Sequence, residues 1–151
     1  MRTTIFSQYF AIYLLGLFTF CIPLAMADQA PSARAIRAPH KVVFQVTDDD
    51  AKKWNLTLVN AMNVLAELGQ RNVAMEIVVY GPAINMLKIE SEVAPRVDEV
   101  IASGVNVVAC ENTMRGMHIT AEDMLPGIRY TRSGVVYLIK KQKEGYAYIR
   151  P

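Results

Sequence analysis

The feature that most constrains this chain is an alternation. Runs of β-branched and apolar residues are each followed by a stretch with helical spacing or a turn, and glycines mark the stops. Lys41 to Thr47 is the first such run, Asp48 to Asp50 supplies capping carboxylates, and Trp54, Leu58, Ala61, Met62, Leu65 and Leu68 recur at helical spacing until Gly69. Val73 to Tyr80 is a second strand ended by Gly81-Pro82, with a short helix expected from Ala83 to Ile89 and an acidic link at Glu90 to Glu92. Ala94 to Ser103 reads as helix with Gly104 as its stop, and Val105 to Cys110 is the most apolar strand. Thr113 is placed to cap a short helix through Met117, and Thr120 to Asp123 has the spacing of a capping box. Ile128 to Thr131 is a short strand, Ser133 caps a helix running to Glu144, and Tyr146 to Arg150 is the last strand.

Strands separated by helices pair in parallel, because each helix is the crossover that lets the next strand run in the same direction. The expected fold is therefore α/β, a three-layer sandwich with a mostly parallel five-stranded sheet of Rossmann or flavodoxin-like architecture. In such a sheet ligands gather where strands end and helices begin. The stretches on that edge are Asp48 to Asp50, Gly81-Pro82, Cys110 to Thr113 and Thr131 to Ser133.

The alternation starts only near His40. Residues 1–27 have the three parts of a secretory signal: Arg2 in a polar start, an apolar stretch from Phe10 to Leu24, and small residues Ala25 and Ala27 around Met26. That stretch is about 15 residues, short of the roughly 20 that span a bilayer. Cleavage after Ala27, a periplasmic or secreted location and no lasting membrane anchor are expected. Residues 28–39 are small, polar and proline-punctuated, as in a flexible leader. The domain is expected over residues 40–151.

Removing the signal also removes Cys21, leaving Cys110 as the one thiol of the mature protein. It cannot form an internal disulfide; it is buried and inert, reactive, or paired with another molecule. The charge of +2 comes from 16 basic and 14 acidic residues, so no basic stripe points to nucleic acid. Nucleotide binding is also disfavoured, since the first strand leads into three carboxylates rather than a glycine-rich turn. No cofactor is implied.

Cys110 stands at a strand exit just before a helix start, where unpaired N–H groups favour an anion such as a thiolate. Arg115 adds positive charge nearby and Glu111 opposes it. Cys110, Met114, Met117 and His118 form a set of soft groups of the kind that hold a cuprous ion, although methionines more often fill cores. Asp48, Asp49 and Asp50 read as caps and a solvated face rather than a cation site. Trp54 reads as core and Asn55 as a local backbone partner, with a pocket role as the second reading.

Several motifs then combine: Lys53-Trp-Asn-Leu56 with Asn60, Tyr80-Gly-Pro82, Val108-Ala-Cys-Glu-Asn-Thr-Met-Arg115, Asp123-Met-Leu-Pro126, Ser133-Gly-Val-Val136, and Gln142 to Ile149. With them the chain from His40 to Pro151 resembles the DsrE/DsrF-like family, specifically its exported single-domain branch. The resemblance implies a three-layer α/β sandwich assembled as homotrimers or homohexamers. It also implies sulfur handling, because the TusD-type relay subunits carry sulfane sulfur as a persulfide on a cysteine after the same strand. Cys110 matches that cysteine, and Met114-Arg115-Gly116 is similar to the pattern that follows it. The chain departs from those members in its export signal and in lacking a second cysteine.

The leading expectation is an exported sulfur-handling protein with Cys110 as the carrier. Asn112, Thr113, Arg115 and, from the facing helix, Asn55 are the candidate residues around the sulfur. A donor or acceptor protein is the expected partner, and true sulfurtransferase turnover is left open. The alternatives are a non-enzymatic oligomeric small-molecule-binding protein with an inert cysteine, and a cuprous-ion-binding protein.

Overall fold

The structure is a computed structural model that describes residues 40–151; the expected signal and leader lie outside these residues. Five strands form one sheet in the order β4-β3-β2-β1-β5, every neighbouring pair parallel. They are β1 (His40–Val46), β2 (Val73–Val79), β3 (Asn106–Cys110), β4 (Arg129–Thr131) and β5 (Ala147–Ile149). Helices α1 (Ala51–Leu68), α2 (Ala94–Ala102), α3 (Glu111–Gly116) and α4 (Gly134–Lys143) connect them.

The strand order decides which face each helix covers. From β1 to β4 the chain steps in one direction across the sheet, and from β4 to β5 it crosses back. Parallel crossovers are right-handed, so α1, α2 and α3 belong on one face and α4 on the other. The cores agree. Trp54, Leu58, Val97, Val100 and Met114 pack with Val42, Phe44, Ile77, Val107 and Ala109 on one side of the sheet. Leu138 packs with Val43, Val78 and Val108 on the other. The alternation of side chains along a strand does the rest, since neighbouring residues point to opposite faces.

Local chemistry explains the element ends. The Asp50 carboxylate accepts the Lys52 N–H at 2.8 Å and starts α1, and a cap of this kind is worth about 1 kcal/mol. Gly69, at φ 83°, stops it. The capping box at Thr120 and Asp123 is present and starts a short 3-10 turn.

Two expectations are corrected. The helix expected over 83–89 is a 3-10 turn at Gly81–Leu87. Thr113 does not cap α3: Cys110 itself stands at the cap position, and Thr113 lies inside the first turn. The strand passes into the helix without an intervening loop, so the cap falls on its last residue.

Leu58 is 1% exposed at the centre of the α1 layer. Leu58→Ala should lower unfolding stability by about 2–5 kcal/mol in chemical denaturation; a loss under about 1 kcal/mol would contradict this packing.

A candidate thiol site between the third and fourth strands

Cys110 is the last residue of β3 and pairs in register with Thr131, the last residue of β4. After this rung the two chains part. β3 leads into α3 on the α1 side of the sheet, whereas β4 leads into α4 on the opposite side. Such a divergence opens a crevice beyond the strand ends, the usual ligand position of an open α/β sheet. Cys110 shares the parity of Val108 and so belongs to the α4 side.

The thiol is 4% exposed, and its surroundings come from three segments. The Gly134 N–H, at the start of α4, donates to Cys110 Sγ at 3.3 Å. The sulfur lies 3.9 Å from the Arg132 carbonyl oxygen, which also accepts the Asn112 N–H at 3.2 Å. Thr113 ties α3 to the turn after β2, its hydroxyl accepting the Gly81 N–H at 2.9 Å. Burial is the largest single influence on the thiol and pushes its pKa up. The Gly134 N–H, the Thr113 N–H and hydroxyl, and the Asn112 N–H together outweigh burial, so the net pKa is below that of an ordinary thiol.

Gly134 makes this contact possible. A Cβ there would stand 2.8 Å from Tyr80 Cδ1 and 3.2 Å from Tyr80 Cβ, closer than carbon atoms pack. Only glycine lets the start of α4 settle against Tyr80 and reach the sulfur.

Beside the thiol a cleft of about 370 Å³ is lined by Asn112, Arg132, Ser133, Val136, Tyr137 and Lys140, with Thr131 at its end. Two of these side chains are cationic and none is acidic. The cleft is therefore suited to a small anion.

The model of the DsrE/DsrF-like family matches residues 40–151. The chain belongs to the DsrE/DsrF-like family. Among solved structures it is similar to MTH1491 of Methanobacterium thermoautotrophicum, a protein of unknown function, with 37% identity and a TM-score of 0.71 over 74% of this chain and 99% of that one. BT1422 of Bacteroides thetaiotaomicron is 19% identical with a TM-score of 0.63, covering 78% of this chain and 99% of its own. The ychN protein of E. coli is 13% identical with a TM-score of 0.61, covering 74% and 98%. These last two share the fold. No curated protein matches the chain.

Within this DsrE-like domain the structure brings together only part of the expected residue set. Asn112 and Thr113 stand at the thiol. Arg115 bonds the Asn112 side-chain oxygen, so it touches the site through Asn112 rather than the sulfur. Asn55 is not brought to it: α1 covers the face opposite α4, and the Asn55 amide is engaged by the Ala51 carbonyl at 2.9 Å and by Arg96 of α2. The soft set is also divided. Met114 lies in the α1-side core, Met117 is exposed, and Cys110 faces the other way. Trp54 is core, its indole N–H bonded to the Asp48 carbonyl at 2.7 Å.

Arg132, Gly134 and Tyr137 were not singled out as site residues by sequence reasoning, although Ser133-Gly-Val-Val136 carries part of the resemblance. Nothing local connects them to a cysteine more than 20 residues earlier. Only the pairing of β3 with β4 does.

Gly134→Ala should displace the start of α4 from the sulfur. The alkylation rate of Cys110 near neutral pH should then fall by roughly threefold or more, as the thiolate fraction drops. An unchanged rate in a folded variant would contradict the role given to this glycine.

Proposed function

We propose that this DsrE-like protein handles sulfur, with Cys110 carrying sulfane sulfur as a persulfide. The observation that carries the reading is the Gly134 N–H held 3.3 Å from Cys110 Sγ across two strands. Together with the N–H groups of α3 it favours the anionic sulfur over the thiol. The cargo itself is inferred from the resemblance to sulfur-carrying members of the family.

The reaction is a thiolate displacement. Cys110 Sγ attacks the outer sulfur of an anionic donor such as thiosulfate or a small persulfide, and a new S–S bond forms. The donor's own S–S bond breaks, and its electron pair leaves with sulfite or a thiolate. No net oxidation occurs. Arg132 and Lys140 line the cleft where the donor's charge would lie, and Asn112, positioned by Arg115, completes its thiol side.

The proposal includes export, with cleavage near Ala27, and self-association as a trimer or hexamer. Val135, Val136 and Ile139 of α4, with Tyr148 and Ile149 of β5, are exposed apolar side chains that support the latter. A rival reading, a binding protein with an inert cysteine, is favoured by the 4% exposure of Cys110. It differs in predicting that no sulfur is taken up.

Incubating the reduced protein with a sulfane donor and weighing it intact should show one added sulfur on wild type and none on Cys110→Ala. No added sulfur on wild type, or the same gain on Cys110→Ala, would overturn the proposal.

A further inference from the structure

One buried charge lies apart from the thiol. Glu76 stands in the middle of β2, 4% exposed, in a strand otherwise composed of apolar residues. It has the parity of Val78 and therefore faces α4. Its carboxylate accepts the Tyr137 hydroxyl at 2.5 Å and the Tyr146 hydroxyl at 3.4 Å. The Lys141 ammonium stands 2.9 Å from Glu76 Oε1. It also lies over the rings of Tyr137 and Tyr146, at 5.1 and 4.9 Å from their centroids. Lys41 of β1 covers the Tyr146 ring at 5.6 Å, and Glu144 pairs with Lys141 at 3.2 Å.

Tyr137 and Lys141 are four residues apart, so one carboxylate grips successive turns of the same face of α4. Gly134 and Leu138 belong to that face too. The apolar contact available to it is small: Leu138 packs on Val43, Val78 and Val108, with the tyrosines around them. A thin apolar layer leaves the helix free to slide, whereas a buried carboxylate with fixed partners does not. Burial and then the Glu76 carboxylate push Tyr137 up to about 12, so it remains a neutral donor at physiological pH.

We propose that Glu76 is a positioning residue for Cys110: by clamping Tyr137 and Lys141 it fixes the seat of α4 and so holds the Gly134 N–H on the sulfur. The chain of contact runs from Glu76 to Tyr137, one helical turn back to Gly134, and from Gly134 to Cys110 Sγ. The functional meaning rests on Cys110 being the reactive thiol proposed above, while the clamp itself rests on this geometry.

The test is the pKa of Cys110 in the full protein, read from the pH dependence of its alkylation. Glu76→Gln separates two effects by sign. Removing the negative charge of Glu76, with Lys141 still paired only to Glu144, would, through space alone, lower the thiol pKa. Releasing α4 from the sulfur raises it. A rise is expected, with the neutral-pH alkylation rate falling roughly threefold or more. Tyr137→Phe removes one hydroxyl and no charge, and should move the pKa in the same direction; it carries the test if Glu76→Gln does not fold. Leu58→Ala, destabilising but on the other face, should leave the thiol pKa where it is. An unchanged or lowered pKa in the folded clamp variants, or an equal rise in Leu58→Ala, would overturn the proposal. Failure of wild type to take up sulfur would overturn the sulfur-handling reading and leave this coupling standing.

Discussion

The right-handedness of parallel crossovers is the constraint on which the rest of this structure depends. It sends α1, α2 and α3 to one face of the sheet and α4 to the other, because only the last crossover runs backwards across it. The connections after β3 and β4 therefore diverge at the sheet edge. Cys110 is the final residue of one of those strands, and its place in the crevice follows from topology before any side-chain contact is considered. The contacts then refine it: the parity of β3 turns the sulfur toward α4, and a glycine at the start of α4 lets a backbone N–H reach it.

The two helical layers are held by different means. On the α1 side, long rows of apolar side chains from α1, α2 and the turn after β2 close over Phe44, Ile77 and Val107. On the α4 side the apolar layer is thin, and a buried carboxylate with three partners supplements it. A buried ion pair adds little net stability, since desolvation offsets most of its attraction. What it adds here is geometry. The helix that brings the Gly134 N–H to the thiol is the one seated by directional polar contacts, whereas most of the apolar core lies on the other face of the sheet.

Much of this was legible in the sequence. Alternating strand and helix signals, the Asp50 cap and the Gly69 stop mark the elements, and the apolar run from Val105 to Cys110 reads as a strand. The same reading put Cys110 on the ligand edge together with three other stretches. Which of those stretches lies beside Cys110 is not legible there, because strand order is not written in local periodicity. That is also why the sequence groups Asn55 with the thiol: α1 begins at the same edge, and only the crossover direction shows that it covers the opposite face. The soft set of Cys110, Met114, Met117 and His118 divides for a related reason, with Met114 in the α1-side core and Met117 exposed. Cys110 keeps the parity of Val108 and turns toward α4, whereas α3 leaves on the α1 side. Glu76 is a further signal readable in the sequence, a lone acid in the run VAMEIVV whose burial demands partners.

Across these contacts the fold holds the Cys110 thiol pKa below that of an ordinary thiol, in a site shielded from solvent. The most direct measurement is the alkylation rate of Cys110 by a small neutral reagent as a function of pH, in the folded reduced protein and in the same protein unfolded by denaturant. The thiolate fraction rises as pH climbs through the thiol pKa, so a depressed value moves the whole curve to lower pH. The account predicts a folded-state midpoint below the unfolded one. A midpoint at or above the unfolded value, or a thiol that reacts only once the protein unfolds, would contradict it.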